Sequence, residues 1–189
     1  MTAIQIGESL TLADVERVAT QNAPVAISDG ARERMTVARA HIEAQIGDGK
    51  PLLYGINTGF GALAEVSIPT EALEQLQINL VRSHASGVGN PLPEEVVRLV
   101  MLLRAHVLAA GYSGVRIEVV EKLCELIEYG VHPVIPAQGS VGASGDLAPL
   151  AHLALTLIGE GEATYQGEEM ASSEALDRAG VKPLRLRAK

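Results

Sequence analysis

The chain has 189 residues, of which 47% are apolar and 20% charged, and it carries a formal net charge of -8. This is the composition of a globular chain long enough to bury a core, and the negative charge argues against nucleic acid or an anionic membrane as partner. Cys124 is the single cysteine, which excludes an intramolecular disulfide and reads as a small buried hydrophobe. With one Phe, four Tyr and no Trp, aliphatic side chains must fill the interior. The N-terminus lacks a basic region followed by an apolar stretch, and Arg98, Arg104 and His152 interrupt the longest apolar runs. A cytoplasmic protein without a membrane span is the expectation.

In chain order, Thr11-Leu12-Ala13-Asp14 has the form of a capping box and predicts a short helix to about Gln21. Residues 29–46 read as a longer amphipathic helix ended by Gly47-Asp48-Gly49. Leu52-Leu53-Tyr54-Gly55-Ile56 predicts a short strand running into a glycine-rich loop. Pro69-Thr70 opens a helix through about His84, and residues 87–93 read as a break. Three apolar helices are expected near 94–110, 116–129 and 146–159. In the second, Val115, Val119, Val120, Leu123 and Ile127 recur at helical spacing and leave Glu118, Glu121 and Glu125 outside. The third is apolar nearly all round and calls for cover on every side. Residues 162–170 read as a hairpin about Gln166-Gly167, and 173–179 as a short helix closed by Gly180. The expected fold class is mainly α. Residues 1–90 form a mixed α/β region, and residues 91–189 a helical region with a small hairpin.

The stretch from Gly139 to Ala154 (Gly-Ser-Val-Gly-Ala-Ser-Gly-Asp-Leu-Ala-Pro-Leu-Ala-His-Leu-Ala) carries the chemistry. A Gly/Ser run before a helix is ordinarily a loop, or an anion site at a helix N-terminus. No Gly-Lys-Ser/Thr follows, so it is not a Walker loop, and Asp146 stands where a hydrolase nucleophile elbow needs its second glycine. The small residues suit a backbone folded back on itself, with the Gly145 amide nitrogen reaching the Ala143 carbonyl carbon. If Ser144 then loses its hydroxyl as water, the product is a five-membered ring with an exocyclic methylene, a strong electrophile.

Together with four further blocks, this stretch resembles the signature of the aromatic amino acid ammonia-lyases. Those blocks are Tyr54–Gly61, Asn79–Gly89, Gly111–Arg116 and His132–Pro136. The likeness is nearest to the branch of the family that acts on histidine. It implies MIO (4-methylidene-imidazole-5-one) formed from Ala143, Ser144 and Gly145, and elimination of ammonia from L-histidine to give urocanate. It also implies Tyr54 on a lid loop as general base and His84 as the contact to the substrate side chain. The partners implied are a small amino-acid substrate and further copies of the chain, a homotetramer in the family. A helix starting near Asp146 would aim its positive end at Ser144.

The ordinary alternatives are that Tyr54 packs at a strand end and that His84 caps a helix C-terminus. An imidazole at 84 suits a histidine ring or a tyrosine hydroxyl, so tyrosine ammonia-lyase or aminomutase chemistry stays open. His132 and His152 read as packing residues, His41 and His106 carry no signal, and no histidine pair has metal-ligand spacing. Family subunits continue with an asparagine-bearing segment and a long helical bundle. The resemblance thus covers an N-terminal part, truncated before the main bundle, in which the ring is expected to form poorly alone. An alternative of another class is a catalytically silent assembly subunit whose helices pack on partner chains.

Overall fold

A computed structural model describes residues 2–46, 51–59, 61, 64–140 and 147–187. The chain begins with β1 (Ile4–Ile6), α1 (Leu12–Gln21) and β2 (Val25–Ile27), the two strands pairing in parallel. The capping box is formed: Thr11 Oγ1 accepts the Asp14 N–H at 3.2 Å, and the Asp14 carboxylate accepts the Thr11 N–H at 3.2 Å. α2 (Asp29–Ala44) is capped by Ser28, whose hydroxyl accepts the Ala31 N–H at 3.2 Å.

The centre of the molecule is α4 (Glu94–Ala109), packed against α1 and α5 (Ile117–Tyr129). Met101, Leu102, Ala105 and Ala109 are fully buried there, as are Val120 and Leu126 of α5. Cys124 is buried as expected, and burial pushes its thiol up to about 12. One continuous apolar core runs from Ile4 and Ile6 through α4 and α5 to Leu176 and Val181.

A 3-10 turn (Thr70–Ala72) leads into α3 (Leu73–His84), which packs on α6 (Leu147–Leu157). The apolar α6 is covered on most of its circumference: Ala148, Ala151, Leu153, Thr156 and Leu157 are buried, and Leu147 at its first turn is 57% exposed. β4 (Val131–Pro133), β6 (Glu162–Tyr165) and β7 (Glu168–Ala171) form an antiparallel sheet, followed by α7 (Ser172–Arg178). The expected hairpin turns at Gln166 and Gly167, both at positive φ.

Two expectations are corrected. Residues 52–56 are not a strand: they run into a turn at 54–57, in which the N–H groups of Ile56 and Asn57 both bond to the Leu53 carbonyl. Residues 87–93 are not only a break: β3 (Val88–Pro91) pairs antiparallel with β5 (Pro136–Gln138). Among the described residues, no helix is long and apolar enough to cross a membrane.

Candidate functional site

The end of α3, the β3–β5 pair and the first turns of α6 converge at one junction. Glycines make it possible. A Cβ on Gly139, which has φ 153°, would stand 2.9 Å from the Gly87 Cα and 3.2 Å from the Ala148 Cβ. Only a residue without a side chain lets the backbones of β5 and the 85–87 segment touch in this way. The chain therefore leaves β5 and re-enters at α6 in nearly the same place. Ala143, Ser144 and Gly145 fall between these two points in sequence and lie outside the described residues, as does Asp146.

His84 is the last residue of α3 and is half-buried. Its Nδ1 lies 2.9 Å from the Leu80 carbonyl oxygen, one helical turn back. A carbonyl only accepts, so Nδ1 carries a proton; in the neutral ring Nε2 then keeps a lone pair. The Ser83 hydroxyl donates to the same carbonyl at 2.9 Å. The capping alternative is thus realised on one edge of the ring, and in the neutral ring the other edge is a hydrogen-bond acceptor.

Tyr54 sits on the 54–57 turn and is 64% exposed. Beneath it, buried Asn57 holds the loop together. Its Oδ1 accepts the Leu53 N–H at 2.7 Å, its Nδ2 donates to the Pro51 carbonyl at 2.9 Å, and its own carbonyl accepts the Ile68 N–H at 3.0 Å. The Gly59 N–H donates to the Val66 carbonyl at 3.1 Å, closing the loop's second arm. Tyr54 accordingly rides on an exposed turn with a buried, hydrogen-bonded base, joined to α3 through the 3-10 turn.

His152, expected to pack, also makes a directed bond: its Nε2 accepts the Gly87 N–H at 3.1 Å. Burial lowers its proton affinity. A second buried polar group lies on the other side of α4. Arg98 donates from Nε to the Val18 carbonyl at 3.0 Å and from Nη1 to His132 Nε2 at 2.9 Å, and His132 Nδ1 stands 3.2 Å from the Glu94 carboxylate. His132 is buried as expected, but as part of this Glu–His–Arg chain. Among the described residues, no three His, Cys, Asp or Glu side chains gather as a metal-binding group.

Sequence reading missed Asn57, Gly87 and His152 as determinants of the site. Asn57 and Gly87 lie inside the blocks it singled out, but their partners are set by the folded backbone.

A profile described as aromatic amino acid lyase matches residues 10–189. A histidine ammonia-lyase of Sorangium cellulosum (strain So ce56) is 57% identical over 186 residues, covering 97% of this chain and 36% of the relative. That of Geobacillus thermodenitrificans (strain NG80-2) is 54% identical over 183 residues, with the same coverage. The crystal structure of histidine ammonia-lyase from Trypanosoma cruzi superposes with a TM-score of 0.88 at 39% identity, over 99% of this chain and 35% of that one. The chain spans about a third of the length of the curated relatives it matches.

Proposed function

The chain belongs to the aromatic amino acid lyase family, and from that premise we propose that it serves the non-oxidative elimination of ammonia from L-histidine, giving urocanate. The observation that carries this reading is the sequence Ala143-Ser144-Gly145 set between chain ends that meet, Gly139 against Ala148. A short segment whose two ends are held together fits the sharp backbone reversal that ring closure demands. The substrate is the one named for relatives of more than half identity.

In this reading Ala143, Ser144 and Gly145 yield MIO, which supplies an electrophile that makes the amino group a better leaving group. The substrate's β-proton, only weakly acidic, goes to the oxygen of Tyr54, which must stand as the phenolate to take it and becomes the neutral phenol. The turn that carries Tyr54 is set by Asn57, so the base stands on a buried, hydrogen-bonded loop root. His84 receives the substrate ring: with Nδ1 engaged by Leu80, its Nε2 accepts an N–H from the imidazole. The positive end of α6 favours negative charge on the segment just before it. Copies of the chain assemble as a homo-oligomer around a small amino-acid substrate.

The acceptor edge of His84 supports a second reading. A phenol O–H donates to it as well as an imidazole N–H does, which keeps tyrosine as the alternative substrate.

The test pairs intact mass with turnover. Cyclisation and loss of the Ser144 hydroxyl remove two waters in all, so a subunit of the relatives' full length should be lighter than its sequence by that amount and should form urocanate from L-histidine, whereas this segment alone should close the ring poorly. Ser144→Ala should abolish the electrophile and the turnover with little change of fold. Near-normal turnover by Ser144→Ala overturns the covalent mechanism.

A further inference from the structure

The Gly87–His152 bond joins two segments far apart in sequence through one backbone N–H and one ring nitrogen. A backbone N–H only donates, so Nε2 must be the acceptor. That requires a neutral imidazole with its proton on Nδ1, the less favoured tautomer of the free ring. The site is built for this ring. A Cβ on Gly87 would come within 3.0 Å of the same Nε2 and 3.2 Å of the Pro136 Cβ, so the imidazole fills the space a side chain at 87 would take. Gly87 follows His84 by three residues, and the β3–β5 pairing begins at the next residue, Val88 against Gln138. The imidazole therefore grips the chain between His84 and the strand.

We propose that His152 is a positioning residue: held as its Nδ1–H tautomer, it anchors the Gly87 amide and so sets where His84 stands relative to α6. Packing alone would leave the position of Gly87 to van der Waals contacts, which allow sliding. A directed bond to a backbone amide fixes it. The consequence for turnover rests on the lyase reading above; the tautomer and the anchoring do not.

Three measurements decide it. In the wild-type protein labelled with ¹⁵N-histidine, the His152 ring should show a protonated Nδ1 and a bare Nε2; a protonated Nε2 overturns the proposal. Two variants follow, His152→Gln, whose Oε1 reaches as far as Nε2 and accepts, and His152→Leu, which does not accept. Amide exchange at Gly87 should stay within about threefold of wild type in His152→Gln and quicken by about tenfold or more in His152→Leu, the loss expected when a hydrogen bond of ordinary strength is removed. Equal exchange in both variants overturns it. For histidine turnover, kcat should fall by about tenfold in His152→Leu and be restored in His152→Gln, as expected of a residue that places another by a hydrogen bond. An equal fall in both would make His152 a packing residue. A subunit of the relatives' full length with no histidine turnover would remove the lyase reading, while the tautomer and the exchange rates would still decide the anchoring.

Discussion

Nη1 of Arg98 lies 2.9 Å from Nε2 of His132, and both side chains are buried. A guanidinium only donates, so His132 accepts at Nε2 and turns its Nδ1–H to Glu94, 3.2 Å away. The chain ties α4 to β4, and Arg98 extends it to the Val18 carbonyl at the end of α1. Protonating Nε2 would break the bond and set two cations against each other in the interior. Burial, and then Arg98, hold the His132 pKa down at about 4 against an ordinary 6.5. Glu94, 3.2 Å from Nδ1, is a carboxylate that favours the charged form.

Stability should therefore depend on pH in a stated direction. Between about 4 and 6.5 the unfolded chain binds a proton at this position that the folded chain refuses. The contribution is fully present above 6.5 and is lost as pH falls toward 4, at most on the order of 3 kcal/mol. Chemical denaturation at several pH values should show a slope in this window that His132→Gln flattens. Parallel slopes for the two proteins would remove His132 as its source.

The acceptor edge of His84 predicts a substrate effect. In a subunit of the relatives' full length, His84→Leu keeps similar bulk and removes the proposed partner of the substrate ring N–H, which should cost about 1–3 kcal/mol. For histidine, kcat/KM should drop roughly ten- to a hundredfold, with relative preference moving toward phenylalanine, whose ring has no polar group to leave unpaired. If both substrates lose the same factor, His84 does not read the side chain.

Helical periodicity made most of this fold legible in the sequence. α1, α4, α5 and the 162–171 hairpin stand within a few residues of expectation, because each buries one face over many positions or turns at a recognisable pair. β1, β2, β4 and β5 span three residues each, too few for a two-residue alternation to register. The apolar run Leu52–Ile56 imitates a strand, and the side chain of Asn57 overrides it by capturing the Leu53 N–H. At the proposed site, residue types pointed to Tyr54, His84 and the Ala-Ser-Gly segment, the last outside the described residues. The Gly87–His152 bond has no local signature, since neither residue has its partner nearby in the chain.

Asn57 should behave as the root of the Tyr54 turn. Asn57→Ala leaves the Leu53 N–H and the Pro51 carbonyl without their partner, at about 1–3 kcal/mol for a buried group. The loss should be local. Limited proteolysis should quicken within residues 51–69 while the global unfolding midpoint moves little. Unchanged cleavage in that stretch would show that other contacts hold the turn.

Association should be legible on α4. Val96, Leu103 and Val107 are 39%, 47% and 58% exposed and recur at spacings that place them on one helical face. Light scattering should find oligomers, and the double substitution Leu103→Glu with Val107→Glu should shift them toward monomer. A protein already monomeric at tens of micromolar, roughly where exposed apolar surfaces associate, would leave this face without a partner.

The crossing of Gly139 over Gly87 also limits how this protein could be redesigned. Any residue other than glycine at 139 meets a φ of 153° and a backbone atom at 2.9 Å. No second-site change can make room, because the opposing atom is an α-carbon that already carries only hydrogen. A library that randomised the surroundings of His84 would find these two positions invariant. Specificity is free to drift through side chains on the neighbouring elements, but the backbone crossing beneath them is a hinge pin that selection cannot file down.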